Sequence, residues 1–185
     1  MTDLSNLRVA VLATDGFEES EMTEPVRVLG EAGAQVEIIA PKEGQIQAFR
    51  HFDKGITMKV DRSLRNARST DYDALLLPGG ALSADALRMV LQAREFVREF
   101  QEAGKPIAVI CHGAWLLVSA DLVRGRTLTS HHTIQDDVRN AGGTWKDQEV
   151  VEDDNWVSSR SPHDLPAFTE AMVRLFARVP VAAHA

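Results

Sequence analysis

One cysteine, Cys111, stands in a chain of 185 residues, which excludes an intramolecular disulfide framework. Stability must therefore come from a hydrophobic core, and a domain of this length buries roughly 70% of its unfolded surface without a staple. No apolar stretch approaches the roughly 18 residues that a membrane helix needs. The opening segment, MTDLSNLRVAVLAT, has no basic region before its apolar run and no small-residue cleavage site after it, so it reads as a strand rather than a leader. Basic runs of five or more residues are absent, the net charge is −7 and the isoelectric point is about 5.3. An acidic surface repels phosphates and anionic headgroups, so neither nucleic acid nor a membrane is an expected partner. Neither GxGxxG nor GxxxxGK occurs, which removes the common phosphate-cradling loops. A lone thiol and no targeting segment predict a soluble cytoplasmic protein.

What is present is ordinary for a globular domain: 44% hydrophobic and 25% charged residues, which argues against disorder. Residues 7–14, LRVAVLAT, form a short β-branched run closed by Asp15-Gly16, the pattern of a strand buried on both faces. Residues 18–32 place Met22, Val26, Leu29 and Ala32 at helical spacing, with Pro25 as a source of a kink and Gly33 as a stop. Residues 36–40, VEIIA, give the next strand, so the chain opens β-α-β with a parallel pair. Residues 46–60 alternate and predict small strands or a hairpin. Further strands fall at 73–78, 106–110 and 127–130, and a strand pair at 150–151 and 156–159. Helices fall at 84–103, in one or two pieces, and at 114–120, 134–141 and 165–179, with a frayed tail VAAHA. Alternation of this kind, without repeat or linker, predicts one doubly wound α/β domain over residues 1–185, a mostly parallel sheet with helices on both faces. Ligands of such sheets bind at the carboxyl ends of the strands. That rule selects residues 15–18, 79–83 and 111–113.

Three motifs at those places carry chemistry. In PIAVICHGAW a buried strand meets a helix at Cys111-His112-Gly113, a strand-to-helix elbow that exposes a nucleophile. The helix end favours a thiolate, the His112 N–H can hold an oxyanion, and the His112 imidazole can serve as base. The alternative is a small core residue at a strand end, beside a histidine whose side chain diverges from it. In DGFEESE, the acids Glu18, Glu19 and Glu21 either decorate a helix N-terminus or send one protonated carboxyl across to the sulfur. In LLLPGGALSAD, Gly79-Gly80 permits close backbone approach, and Asp85 either caps a helix or orients a histidine.

These pieces resemble the ThiJ/PfpI superfamily, and within it the PfpI-type bacterial stress proteins. The likeness runs from LRVAVLATDGFEESE through DYDALLLPGG and AVICHG to VRGRTLTS, RNAGGTW and WVSSRSPHDLPAF, nearly the whole chain. The resemblance implies a flavodoxin-like fold akin to class I glutamine amidotransferases. It implies Cys111 as nucleophile, Glu18 as the acid bonded to the sulfur, His112 as its histidine and Asp85 as the acid that reaches the histidine of a neighbouring subunit. Backbone donors would come from Gly80 and His112. The implied activities are peptidase or amidase, deglycase and glyoxalase chemistry on a small-molecule or peptide carbonyl substrate, by a homodimer or larger homo-oligomer, with no cofactor. Two departures stand out: Ala114 replaces a frequent proline, and His131-His132 replaces an aromatic residue and a proline, which brings His131 into the pocket beside Gly79. Two adjacent histidines without a third ligand do not predict a metal. The competing function is a non-enzymatic redox sensor or chaperone that works by oxidation of Cys111.

Overall fold

The computed structural model describes residues 2–179; the tail VAAHA lies outside the described residues. The strands are β1 (Arg8–Leu12), β2 (Phe17–Glu18), β3 (Gln35–Ala40), β4 (Gln45–Arg50), β5 (Asp53–Lys59), β6 (Arg62–Ser63), β7 (Ala74–Leu77) and β8 (Ile107–Ile110). They continue with β9 (Thr127–Leu128), β10 (Thr144–Trp145), β11 (Val150–Asp153) and β12 (Trp156–Ser159). The α-helices are α1 (Glu19–Glu31), α2 (Ala81–Arg88), α3 (Leu91–Glu102), α4 (Ala114–Ser119), α5 (Gln135–Asn140) and α6 (Leu165–Phe176).

Seven strands make the central sheet in the order β11-β12-β8-β7-β1-β3-β6. All neighbours pair in parallel except the hairpin β11–β12 at one edge. The strands of its middle are apolar on both faces because both faces are covered. Val9, Val11, Leu76, Ala108 and Ile110 pack on one side with α1 and α6, through residues such as Met22, Leu29, Phe168 and Phe176. Their sequence neighbours Ala10, Leu12, Leu75, Leu77 and Val109 point the other way, onto Leu87, Phe96, Phe100 and Leu117 of α2, α3 and α4. This alternation is the period-two geometry of a strand made visible in two separate cores. Each fully buried large side chain contributes roughly 1.5–3 kcal/mol of transfer free energy. This is the flavodoxin-like, doubly wound α/β architecture expected from the sequence.

Where the structure departs from the sequence reading, tertiary contacts are the cause. The strand expected at 127–130 shortens to two residues, pairing only with β10. The helical segment expected at 84–103 begins earlier, at Ala81, and breaks between Arg88 and Leu91. Helix α1 runs through Pro25, which is buried; the lost N–H leaves the carbonyl one turn back without its helical donor. A separate three-stranded sheet, β2-β4-β5, stands over the carboxyl ends of the central strands, its hairpin tip at His51 and Phe52. Among the described residues no helix is long and apolar enough to cross a membrane.

The strand order reverses at β1, which has β3 on one side and β7 on the other, so the loops after β1 and β7 part there. The elbow after β8 packs against this gap through Gly113, where a Cβ would stand 2.8 Å from the carbonyl oxygens of both Leu77 and Pro78. Gly113→Ala is expected to destabilise the protein by about 1–3 kcal/mol, because the colliding atoms are backbone and cannot swing away. Chemical denaturation of the two proteins checks this.

Candidate active site

Cys111 follows the last residue of β8 with φ +60°, a left-handed conformation that residues with a Cβ seldom adopt. It opens a single 3₁₀ turn, Cys111–Gly113, that leads into α4. The neighbouring loops lock this turn. Gly80 has φ +98°, and a side chain there would collide with the Gly16 carbonyl and the Glu18 amide. The Glu18 N–H donates to the Gly79 carbonyl at 3.1 Å, the Thr14 N–H to Ser83 Oγ at 3.0 Å, and the His131 N–H to the Cys111 carbonyl at 3.2 Å. The three carboxyl-end segments selected from sequence thus meet at one point.

The sulfur lies at the floor of a cleft of about 880 Å³, and Cys111 is only 6% exposed. It is recessed rather than held up to solvent. The backbone N–H groups of His112 and Gly80 both act on it. The carboxyl beside it belongs to Glu21, and this corrects the assignment of Glu18. Glu18 pairs in β2 and turns its Oε2 to accept the His51 N–H at 3.0 Å. Glu21 sits one helical turn further on, fully buried, on the face of α1 that also carries Met22, Pro25 and Leu29. Helical spacing from Pro25 and Leu29 back to residue 21 is the signal that places it inward. Neither Glu21 oxygen makes a hydrogen bond of ordinary geometry; the Cys111 thiol and the Gly79 N–H are the polar groups that act on the carboxyl.

Burial dominates the electrostatics of this pair. It raises the Glu21 carboxyl to about 8, with the Glu18 charge adding to the rise and the contacts from Cys111 and Gly79 opposing it. Burial also pushes the Cys111 thiol well above its ordinary value, the Glu21 charge adds to that, and the two backbone N–H groups recover only part. A thiol lowered by the helix end, as the sequence suggests, is therefore not the resting state: around pH 7 both groups hold their protons. When the pair loses its first proton, the carboxyl, which is raised less than the thiol, gives it up, and the resulting Glu21 charge holds the thiol protonated.

The His112 side chain does not diverge from its neighbour. The left-handed turn swings it back, and Nδ1 stands 3.2 Å from Cys111 Sγ. Its Nε2 lies 3.2 Å from Thr133 Oγ1, which in turn is 2.8 Å from His131 Nδ1. The His112 and His131 rings stack with centroids 4.4 Å apart, His132 lies 4.4 Å beyond His131, and Trp115 meets His112 edge-on at 5.3 Å. Burial, then the like charges of His131 and His132, lower His112 to about 4, so the imidazole is neutral at pH 7 and free to accept a proton.

The remaining expected residues divide. His131 lines the cleft as expected, whereas Gly79 does not: it packs behind the sulfur, against Glu21 and the Cys111 Cβ, and Gly80 takes the place on the wall. Asp85 does not reach His112 within this chain: it is exposed on α2 and pairs with Arg88 at 3.5 Å. Its side chain points away from the elbow because the inward face of α2 is taken by Ser83, Ala84 and Leu87. Sequence reasoning passed over Thr133 altogether, and no local pattern marks it. Among the described residues no group of three or more His, Cys, Asp or Glu is disposed to hold a metal.

Glu21 offers a direct check. Its folded value near 8 exceeds the ordinary 4.5, so the folded state binds the proton more tightly than the unfolded chain does. The stability it confers is complete below pH 4.5 and is lost as pH rises toward 8. Glu21→Gln does not titrate, so it should match the parent near pH 4 and be more stable by up to about 4 kcal/mol at pH 8. Denaturant titrations at both pH values measure the difference.

Residues 7–175 match the model of the DJ-1/PfpI family. The chain is 44% identical over 169 residues to protein/nucleic acid deglycase 2 of Escherichia coli, covering 91% of this chain and 96% of that one. It is 40% identical over 169 residues to deglycase PfpI of Pyrococcus furiosus, covering 91% and 99%. Among solved structures, DJ-1beta of Drosophila melanogaster superposes with a TM-score of 0.84 at 24% identity, over 96% of this chain and 91% of that one, a likeness of fold. The match to the family model across nearly the whole described chain, together with these identities, makes the protein a member of the DJ-1/PfpI family.

Proposed function

We propose that the protein is a cysteine-dependent enzyme that removes amines from carbonyl carbons, as a deglycase or an amidase. The observation that carries this reading is a thiol 3.2 Å from a neutral imidazole, with two backbone N–H groups aimed at the same point, on the floor of an open cleft. On an amide substrate, Sγ attacks the carbonyl carbon while its proton passes to His112 Nδ1. The π pair moves onto the oxygen, where the Gly80 and His112 N–H groups can receive the charge. The pair returns, the C–N bond breaks, and the proton on His112 leaves with the amine nitrogen. Water then cleaves the thioester, releasing the acid and restoring the thiol. Proton transfer accompanies attack in this scheme, because a standing imidazolium beside His131 and His132 is disfavoured.

The size of the cleft and its walls, which include Phe49, His51, Phe52 and Arg160, favour a side chain or peptide over a three-carbon dicarbonyl. The deglycase names of the relatives support the same class. The sensor reading is weaker, because a thiol pushed upward by burial reacts slowly with peroxide. Glycated peptides and unstructured polypeptides, incubated with parent, Cys111→Ser and His112→Phe, test the enzyme. Cys111→Ser should abolish release of amine, and His112→Phe should slow it by about 10²-fold or more. Equal clearance by parent and Cys111→Ser defeats the reading.

Asp85 enters this scheme only across a subunit contact, as the family resemblance implies. Leu82, Met89 and Leu91 flank it and are exposed, Met89 by 76%, which supports a homo-oligomer through this surface. Sedimentation should show the parent as a dimer or larger and Met89→Glu shifted toward monomer; a monomeric parent at micromolar concentration removes this part of the proposal.

A further inference from the structure

Thr133 is exposed, two residues past His131, and its single hydroxyl meets two imidazoles: His131 Nδ1 at 2.8 Å and His112 Nε2 at 3.2 Å. A hydroxyl has one proton to give and lone pairs to receive with. Which ring takes that proton is decided one step further out. His131 precedes a 3₁₀ turn, His132–Ile134, and its Nδ1 also accepts the Thr133 backbone N–H at 3.4 Å. Nδ1 of His131 therefore carries no hydrogen, and the contact at 2.8 Å exists only if the hydroxyl donates to it. Thr133 Oγ1 then has only lone pairs to offer His112, so His112 Nε2 must be the protonated nitrogen. Its Nδ1 is left bare, facing the thiol.

We propose that Thr133, set by His131, is a positioning residue that holds His112 in the Nε2–H tautomer and thereby aims a free lone pair at Cys111. The inference rests on the proposed role of His112 as proton acceptor and adds what makes it one. With the opposite tautomer, Nδ1–H would face S–H, two donors would meet, and the thiol proton would have nowhere to go. When the thiol reacts, its proton binds Nδ1, the sulfur keeps the electron pair, and the resulting cation retains Nε2–H toward Thr133. The charged and titratable groups around His112 are consistent with this order: the thiol and, behind it, Glu21 of α1 on one side, and His131 and His132 on the other. Trp115 of α4, which completes the surround, spends its N–H on Asp137 at 3.2 Å.

Long-range ¹H–¹⁵N spectra of the histidines, in the parent and in Thr133→Val and Thr133→Ser, test the proposal. The same spectra in Cys111→Ala read the tautomer without the sulfur. In the parent and in Cys111→Ala, His112 should carry its proton on Nε2. Thr133→Val keeps the branched shape and removes the hydroxyl; it should populate the Nδ1–H form and slow alkylation of Cys111 by iodoacetamide at pH 7 about five- to tenfold. Thr133→Ser should restore both. A parent with the proton on Nδ1, or a Thr133→Val spectrum and alkylation rate like the parent's, overturns the proposal. A tautomer shift without turnover of any amine-bearing carbonyl substrate upholds the positioning role while the proposed reaction falls.

Discussion

Cys111 keeps a left-handed backbone, φ +60°, and three loops from different parts of the sheet hold it there. A residue with a Cβ gives up roughly 1–2 kcal/mol to adopt this conformation. The return is positional. The sulfur leaves the line of β8 and drops beside α1, where the N–H groups of His112 and Gly80 act on it, and the His112 ring folds back within 3.2 Å of Sγ. An ordinary helical or extended residue at 111 would scatter these groups. Gly79-Gly80 and Gly113 matter for the same reason, since they let backbone from β7 approach the turn where side chains would stand it off.

Recession of the sulfur governs its chemistry. Low polarity at the cleft floor disfavours any lone charge, so carboxyl and thiol both keep their protons and the adjacent imidazole stays neutral. A site of this kind stores no anion at rest. It depends instead on a base of correct tautomer in contact with the proton to be moved. Backbone donors stand ready for the charge that appears only during reaction, which is where preorganised dipoles act most strongly. Glu21 then serves as the neutral acid that makes a transient charge on sulfur tolerable.

The acidic loop has a second use that its composition hides. Glu18 accepts the His51 N–H, and Glu19 accepts the Ile56 N–H at 2.8 Å. These contacts fasten the β4–β5 hairpin over the carboxyl edge of the sheet and bring Phe49, His51 and Phe52 to the cleft. One short run of glutamates thus divides its labour: two side chains secure the wall of the pocket, and the third goes inward to the sulfur.

The order of strands and helices, the two-sided burial of the central strands and the elbow at Cys111-His112-Gly113 were all legible in the sequence. They rest on local rules: hydrophobic period, turn residues, and the abrupt end of the apolar run PIAVI. The sequence places three carboxylates within four positions and the family resemblance pointed to Glu18, but only the rotation of α1 against the sheet decides that Glu21 faces in. Asp85 looked equally able to reach inward until the packing of α2 turned it to solvent. Thr133 had no local signature, since it lies some twenty residues from His112 and meets it only when the segment after β9 folds over the elbow. Periodicity along the chain determines which side chains an element buries. Which buried and surface groups come within a hydrogen bond of each other is set by how elements dock, and that depends on distances no linear pattern contains.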